Sequence, residues 1–282
     1  MAESTHRGIP PTSRLDRGTI AGLLCAVAGI IGGLVLEQGS VSDIAQATAA
    51  FIVFGGTLGA VLIGTPLRQV VAAARASRLV LYEPQHDLAG TLEQLITFAT
   101  KARRHGIISL EENTGDTSDP ILRRAMELAI DGVTSAELRE MMELDIQAEE
   151  SRGDHLAKVY ETAGGYSPTI GIIGAVLGLI QVMKNLANID AVGHGIAVAF
   201  VATVYGVGVA NLLFLPAGAK IRNHSTRRIE SIELIIEGVA GIVEGMNPRM
   251  LRRRLDPLVR SEGAEDPDAT VAAEAASETA LL

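Results

Sequence analysis

Apolar residues along the chain are concentrated in four long runs, none of which contains Asp, Glu, Lys or Arg. The runs cover residues 18–36, 44–67, 162–183 and 191–219. An apolar helix of about 20 residues crosses the hydrocarbon core of a membrane, which is roughly 30 Å thick. The pattern therefore predicts four transmembrane helices, which we call spans one to four. A signal peptide is the alternative for the first run, but its length and the lack of a small-x-small site before Glu37 favour a span.

The polar segments show helical spacing and none of the alternation typical of strands, so we predict an all-α membrane protein. A helical domain would lie between spans two and three, and a further helix would follow span four. In chain order the predicted parts are a cytoplasmic N-terminal segment (1–17), the hairpin of spans one and two (18–67), a helical cytoplasmic domain (68–161), the hairpin of spans three and four (162–219), a cytoplasmic helix (220–260) and an acidic disordered tail (261–282). The tail is rich in alanine and acidic residues, a composition typical of disorder.

Short motifs between spans two and three mark the ends of helices. Apolar residues recur at helical spacing over Leu88–Ala99, and we expect that helix to end at Gly106. Two stretches, Ser109–Glu112 and Thr134–Glu137, have the pattern of a capping box, in which the first and fourth residues bond to each other's backbone. Asp119–Pro120 has the pattern of an N-cap followed by a proline in the first turn.

Positive charges indicate how the four spans are oriented. The two predicted outer loops, 37–43 and 184–190, contain a single basic residue, Lys184. The other Lys and Arg residues lie in the N-terminal segment, the helical domain and the C-terminal region. Because basic residues near membrane ends stay in the cytoplasm, we expect a multi-pass protein with both termini in the cytoplasm.

Composition excludes several classes of function. The formal net charge is −9 at pH 7 and no basic stripe is interleaved with aromatic residues, so nucleic acid is not an expected partner. Cys25 is the single cysteine and the six histidines never stand at ligand spacing, so we expect neither an internal disulfide nor a metal site. The glycine-rich stretches lie inside apolar spans, and the sequence offers no candidate nucleophile, base or cofactor loop. We therefore expect no cofactor and no enzymatic activity.

Spans three and four each carry a strip of small residues on one helical face. The strip of span three consists of Pro168, Gly171, Gly174 or Ala175, and Gly178, and that of span four of Ala199, Thr203, Gly206 and Ala210. Close helix packing is the common use of such strips in membranes, and we assign the four glycines to it. The other interpretation is a space for another helix or a narrow wet path, with Thr203 supplying a hydroxyl group. Asn211 is expected to form a hydrogen bond between helices, and Tyr205 either does the same or packs.

The lack of charged groups in the spans limits what this chain can do by itself. A protein that moves ions or protons across a membrane needs a titratable or charged group at depth. His194 lies at a membrane edge, and no Asp, Glu, Lys or Arg lies deeper. We therefore predict that the chain is not a complete pump. If it conducts protons, a partner helix supplies the carboxylate.

Three stretches resemble the MotA/PomA flagellar stator family, which belongs to the wider MotA–TolQ–ExbB group of ion-channel subunits. They are GGYSPTIGIIGAVLGLIQVM (164–183), GIAVAFVATVYGVGVANLLFLPAGAK (195–220) and GMNPRML (245–251), and the likeness extends over residues 15–258. The resemblance implies a stator subunit in the bacterial inner membrane that converts proton flow into torque. It also implies a complex of five such subunits around two copies of a MotB-like partner. That partner is a single-span protein that binds peptidoglycan and whose transmembrane aspartate carries the proton.

The resemblance assigns roles to residues of spans three and four. Pro168 and Pro216 match the family's prolines that couple ion passage to movement of the cytoplasmic region. A proline inside a helix can act as a hinge, or it can mark the end of the helix. Thr203 matches a threonine near the ion path. Sodium-driven members carry a further threonine where this chain has Ala175, so the expected ion is H⁺ rather than Na⁺.

The segment KARRHGIISLEE (101–112) resembles the charged region through which the family contacts the rotor protein FliG. Arg103 and Glu111 fall on the matching positions, and Arg104 and Glu112 stand beside them. Without the resemblance, these charges would be interpreted as a solvated surface.

Two alternatives to a flagellar stator are compatible with the pattern of spans. The first is an ExbB/TolQ-type subunit that energises an outer-membrane process. Such subunits have three spans and an outer N-terminus, unlike the hairpin 18–67 and the basic N-terminus of this chain. The second is a membrane scaffold without conduction, against which a neighbouring gene for a single-span, peptidoglycan-binding partner would argue. The sequence gives no basis for choosing among stator paralogues or for assigning a role to the acidic tail.

Overall fold

A computed structural model describes residues 14–83, 87–115, 117 and 119–264 of the chain. Most of the predicted N-terminal segment (1–13) and most of the acidic tail (265–282) lie outside the described residues. Up to the helical domain, the elements are β1 (Arg14–Leu15), α1 (Arg17–Leu36), α2 (Val41–Ile44), α3 (Ala47–Ala50), a wider π turn (Phe51–Gly55), α4 (Gly56–Gly64), α5 (Leu67–Ala76), α6 (Arg78–Leu81) and β2 (Tyr82–Glu83).

The remaining elements are helical. They are α7 (Leu88–His105), a 3₁₀ turn (Ile107–Leu110), α8 (Glu111–Thr114), α9 (Pro120–Ile130), α10 (Ser135–Lys184), α11 (Ile189–Val209), a second π turn (Ala210–Phe214), α12 (Leu215–Val243) and α13 (Pro248–Ala264). The two-residue strands β1 and β2 pair antiparallel and form the β-structure of the described residues.

The four predicted spans are confirmed as helices long and apolar enough to cross a membrane. Span one is α1, and span two runs from Ala47 to Gly64 through the first π turn. Span three belongs to the 50-residue helix α10, and span four belongs to a helix that continues from Ile189 to Val243. The prediction of an all-α membrane protein with a helical domain between spans two and three is therefore confirmed.

The region after span four differs from the single helix predicted over residues 220–260. Helix α12 ends at Val243, and Gly245 then takes a positive φ of 68°, a conformation that favours glycine. A new helix, α13, begins where the Oδ1 atom of Asn247 accepts a hydrogen bond from the backbone N–H of Arg249 at 3.0 Å. This helix extends to Ala264, four residues beyond the predicted boundary. Two helices thus replace one.

The described chain forms two compact units, and residues 14–83 and 151–225 make up the first. Asp16 caps α1, since its Oδ1 atom accepts a hydrogen bond from the N–H of Gly18 at 2.8 Å. Lys220, which follows span four, pairs with the carboxylate of Asp16 and donates a hydrogen bond from Nζ to Oγ1 of Thr19 at 2.8 Å. The start of span one is therefore fastened to the end of span four by a charged pair.

Residues 87–150 and 226–264 make up the described part of the second unit. Its core is formed by apolar side chains from α7, the 3₁₀ turn, α9, the first part of α10, the second part of α12, and α13. The largest fully buried side chains of this core are Leu88, Leu95, Leu110, Leu122, Met126, Leu138, Met142, Ile232, Leu234, Ile235, Leu251 and Leu255. Burial of Leu88, Leu92, Leu95 and Ala99 on one face of α7 confirms the helical spacing read from the sequence.

The predicted helix ends in the second unit are confirmed in three of four cases. Gly106 ends α7 with a positive φ of 82°, and Asp119 caps α9 by accepting a hydrogen bond from the N–H of Ile121 at 2.8 Å. Thr134 and Glu137 form the reciprocal capping box, with N–H to oxygen distances of 3.1 and 3.3 Å. The fourth prediction is wrong because the chain makes a 3₁₀ turn after Gly106. The hydroxyl of Ser109 donates instead to the carbonyl of Gly106 at 2.7 Å.

Ion pairs tie the helices of the second unit together. The guanidinium of Arg228 in α12 donates two hydrogen bonds, at 2.7 and 3.0 Å, to the carboxylate of Asp119. Burial by itself would raise the pKa of the Asp119 carboxyl, but the hydrogen bonds and charge of Arg228, with the N–H groups at the start of α9, hold that pKa below its ordinary value. Arg139 of α10 likewise binds Glu237 and Glu244 of α12 and its neighbouring turn, with closest distances of 2.8 and 3.2 Å.

Candidate functional site

Spans three and four pack with their backbones in contact along the strip of small residues. A Cβ atom placed on Gly171 would lie 2.8 Å from the carbonyl oxygen of Ala202 and 3.1 Å from Cα of Gly206. A Cβ atom placed on Gly206 would lie 2.7 Å from the carbonyl oxygen of Ser167. Backbone atoms cannot move aside as a flexible side chain can, so glycine is required on both sides of this contact.

The same contact continues along span three. A Cβ atom on Gly178 would lie 2.7 Å from the carbonyl oxygen of Gly195 and 2.8 Å from the backbone nitrogen of Ala199. A Cβ atom on Gly174 would lie 2.7 Å from Cβ of Ala202. The glycine strip of span three thus faces span four within one chain, and it does not face an open space. This arrangement is the one that the packing interpretation predicts for these glycines.

Two residues of this contact were not singled out in the sequence. Ser167 is fully buried, and its hydroxyl donates a hydrogen bond to the carbonyl of Gly206 at 3.0 Å. Gly195 stands four residues before Ala199, a small-xxx-small spacing that could have identified it. Ser167 has a weaker signal, a lone hydroxyl directly before a proline within an apolar run.

The hydroxyl group at depth in span four is directed to its own helix. Oγ1 of Thr203 donates a hydrogen bond to the carbonyl of Ala199 at 3.2 Å, and the side chain is half-buried. Ala175 and Pro168 in span three are half-buried as well. No hydrogen bond joins Thr203 to span three among the described residues. The oxygen of Thr203 retains lone pairs that could accept a further hydrogen bond from a group approaching the half-exposed side.

Neither of the two prolines ends a helix. Pro168 lies inside α10, which continues to Lys184. Pro216 follows the second π turn in a helix that runs unbroken from Ile189 to Val243, so the interpretation of Pro216 as a terminus is wrong. A proline ring clashes with the carbonyl four residues earlier and lacks an N–H donor. A π turn widens the helix by one residue at that place, which accommodates the ring without a break.

The two other polar side chains of span four differ from each other. Asn211 is exposed and donates from Nδ2 to the carbonyl of Val207 at 2.9 Å, so the predicted hydrogen bond between helices is wrong. Its own helix supplies an acceptor one turn earlier. Tyr205 does bond outside its helix, because its hydroxyl donates to the carbonyl of Ile44, the last residue of α2. Its ring also lies 6.4 Å from that of Phe54 in span two.

The four charged residues assigned to rotor contact lie close together at one end of α7. Arg103 and Arg104 are in its last turn, and Glu111 and Glu112 begin α8 after the 3₁₀ turn. All four side chains are exposed. Lys101 pairs with Glu112 at 3.8 Å, across the turn at Gly106. The segment therefore presents both signs of charge on one solvent-facing corner of the second unit.

The described residues contain no group of three or more His, Cys, Asp or Glu side chains that could hold a metal ion. Apart from His194 near the membrane edge, the polar side chains of spans three and four are hydroxyls and the amides of Gln181 and Asn211.

Sequence models of two families match the chain. The MotA/TolQ/ExbB proton channel family matches residues 113–234, and the model described as Motility protein A N-terminal matches residues 20–106. The second match covers spans one and two, the hairpin by which the flagellar family was expected to differ from ExbB/TolQ-type subunits.

Curated relatives are similar over most of their length. Motility protein A of Bacillus subtilis is 33% identical over 245 residues, which cover 86% of this chain and 90% of that protein. Motility protein A of Helicobacter pylori is 35% identical over 241 residues, 86% of this chain and 94% of that protein. Chemotaxis protein PomA of Vibrio alginolyticus is 27% identical over 237 residues, 84% of this chain and 92% of that protein.

Solved structures extend the similarity to the fold. The structure of C. jejuni MotAB has a TM-score of 0.82 and 33% identity, and the match covers 86% of this chain and 96% of that one. The flagellar MotAB stator complex from Bacillus subtilis has a TM-score of 0.80 and 30% identity, with the same two coverages of 86% and 96%. The resemblance stated from the sequence motifs is confirmed.

Proposed function

The chain belongs to the MotA/TolQ/ExbB proton channel family as a flagellar stator subunit, and we propose that it conducts protons and generates torque only together with a MotB-like partner. One observation carries the proposal. Spans three and four pack so closely at Gly171 and Gly206 that their shared face is filled, and neither apolar run (162–183 and 191–219) contains Asp, Glu, Lys or Arg. Because proton transfer at depth needs a titratable group, the proton carrier comes from another polypeptide.

The proposed partner is a single-span protein with a transmembrane aspartate and a peptidoglycan-binding domain. Its helix would lie beside the half-exposed positions Thr203 and Ala175, outside the filled glycine contact. The hydroxyl of Thr203 already donates to Ala199, so toward an approaching aspartic acid or water it acts as an acceptor. A methyl group at Ala175 offers no ligand to Na⁺, which supports H⁺ as the transported ion.

Pro168 and Pro216 are proposed to couple proton passage to motion. Both lie inside continuous helices, so each removes one backbone hydrogen bond from a helix that goes on past it. A missing bond lowers the cost of bending at that turn. Protonation of the partner's carboxylate would then be transmitted as a bend in α10 and α12.

The charged corner formed by Arg103, Arg104, Glu111 and Glu112 is proposed to contact the rotor protein FliG. Exposed charges of both signs fit a surface that must engage and release its partner repeatedly, since electrostatic complementarity mainly sets the association rate and the specificity. Such contacts are weakened by salt.

We further propose five copies of this chain around two copies of the partner, in the bacterial inner membrane. Basic residues next to the spans, such as Arg68 and Lys220, support cytoplasmic locations for both termini and for the helical domain. No enzymatic activity is proposed.

Complementation of motility tests the proposal. A strain that lacks its own stator would receive this chain alone, the partner alone, both, or both with the partner's transmembrane aspartate replaced by asparagine. Swimming is expected only with both intact chains. Absence of swimming when both chains are found in the membrane, or swimming with this chain alone, would contradict it.

A further inference from the structure

Helix α13 carries five arginines, two of which form ion pairs with carboxylates of the described residues. Arg252 binds the carboxylate of Glu93 through two hydrogen bonds of 2.6 Å, and Arg254 binds Glu237 at 2.5 Å. The other three are exposed, and no carboxylate of a described residue pairs with them. These three residues, Arg249, Arg253 and Arg260, are called the basic face of α13.

The basic face is a continuous surface on a fixed helix. Residues four and eleven positions apart differ by about 40° or less around a helix, and eleven residues rise about 16 Å. Leu251 and Leu255, on the opposite side of α13, are fully buried in the core of the second unit, so the face is held outward. Asp256 stands seven positions after Arg249, within about 20° of it around the helix, so it lies on the same face between Arg253 and Arg260 and offsets part of its charge. Arg249 and Arg253 repel each other as like charges one turn apart.

The segment that directly follows α13 has the opposite charge. Residues 265–282 contain no Lys or Arg. Their acidic residues are Glu265, Asp266, Asp268, Glu274 and Glu278. We propose that this acidic segment binds the basic face of α13 of its own chain.

The length of the acidic segment and its covalent attachment to α13 favour this segment, over a polyanion free in solution, as the ligand of the basic face. The segment begins after Ala264, about one helical turn beyond Arg260. Its 18 residues can extend up to about 60 Å, several times the length of the face. A tethered binding site sees its ligand at an effective concentration of the order of millimolar. Ion pairs at an exposed face are individually weak and are screened by salt, so the segment covers the face at low ionic strength and leaves it as ionic strength rises.

Spin labelling of the full chain in detergent tests the proposal. Ala269→Cys in a Cys25→Ser background places a nitroxide within the acidic segment, and its mobility is measured between about 0.05 and 1 M salt, where the screening length falls from above 10 Å to about 3 Å. Arg249, Arg253 and Arg260 are replaced together by alanine, and in a matched control together by lysine. A third protein keeps the arginines and carries Glu265→Gln, Asp266→Asn and Asp268→Asn.

The parent and the lysine control are expected to show an immobilised fraction at low salt that is lost at high salt. The alanine variant and the carboxylate variant are expected to be mobile throughout, because three exposed ion pairs change a binding equilibrium by roughly three- to hundredfold. Equal mobility of the parent and the carboxylate variant at low salt would overturn the proposal, even if the alanine variant failed to fold. A mobile segment combined with arginine-dependent binding of phosphatidylglycerol vesicles would also overturn it, in favour of a lipid surface.

Discussion

Gly171 and Gly206 meet across spans three and four with no room for a side chain on either, since a Cβ atom on Gly171 would stand 3.1 Å from Cα of Gly206 and 2.8 Å from the carbonyl of Ala202. The serine before Pro168 closes the same contact by donating to the carbonyl of Gly206 at 3.0 Å. The two helices are therefore packed backbone against backbone here, and a partner's helix has to bind outside this contact.

Gly171→Ala should destabilise the protein by about 1–3 kcal/mol, because overpacking against backbone atoms forces the helices apart. Thermal unfolding of the detergent-solubilised protein measures the effect. Gly165→Ala is the matched control in the same helix, since apart from the nearby backbone of that helix no heavy atom of the described residues lies within 4 Å of its Cβ position. The control should be neutral or slightly stabilising, as alanine favours a helix more than glycine does. Equal loss of stability in both variants would argue against the packing contact.

Asp119→Asn should lower the stability of the second unit by about 1.5–3 kcal/mol at pH 7, the value of hydrogen bonds to charged groups. Asparagine preserves the N-cap of α9, so the loss reports the bond to Arg228. A carboxyl whose pKa is lower in the folded than in the unfolded state stabilises the fold above the unfolded pKa, and the contribution disappears as pH falls through the folded pKa.

The comparison of unfolding at two pH values checks the sign of this effect. The difference in denaturation midpoint between the parent protein and the Asp119→Asn variant should be largest near neutral pH. It should shrink as pH falls below the ordinary aspartate pKa of about 3.9. A difference that grows on acidification would show that the pKa of Asp119 is raised in the folded protein.

Thr203→Val should reduce proton leak and swimming while leaving membrane insertion intact, because it keeps the shape of the side chain and removes the hydroxyl acceptor. Thr169→Val is the control within span three, where Thr169 is exposed and donates its hydrogen bond to the carbonyl of Tyr166 in its own helix. Swimming speed and the amount of each variant in the membrane would be measured together. Normal swimming by the Thr203 variant would exclude Thr203 from the ion path.

Charge reversal at the corner of α7 should lower torque without preventing assembly. Arg103→Glu and Glu111→Lys each invert one exposed charge, and rotation of tethered cells under load measures torque. Glu143→Lys reverses an exposed charge elsewhere in the second unit and should leave torque unchanged. Equal loss of torque with Glu143→Lys would show a general effect of charge and not a rotor contact.

The spans were predictable because an apolar run of sufficient length has few alternatives to a membrane helix, and the glycine strip was predictable because helical periodicity places its members on one face. Local rules failed where a neighbouring turn changed the geometry. Ser109 has the pattern of an N-cap, yet the 3₁₀ turn after Gly106 redirects its hydroxyl to the carbonyl of that glycine. The sequence left open whether Pro216 is a hinge or the end of a helix, and the structure places it directly after a π turn within a continuous helix. Such turns depend on packing between segments far apart in sequence.

The hydrogen-bond partner of Asn211 in the candidate site could not be predicted from the sequence. Its position in an apolar run indicates a polar partner, but the sequence does not fix how span four is rotated against its neighbours. The structure places the amide on the exposed side, where its own helix satisfies it. Contacts between segments far apart in sequence, such as the hydrogen bond from Tyr205 to the carbonyl of Ile44, could not be predicted from the sequence pattern either.

The most direct test of the central claim is proton flux into vesicles that contain this chain alone, with a MotB-like partner, or with that partner carrying asparagine in place of its transmembrane aspartate. The account predicts flux only with the intact aspartate, and no change when Na⁺ is withdrawn. Proton flux through this chain alone, or through the complex without that aspartate, would contradict the claim that the partner supplies the acid.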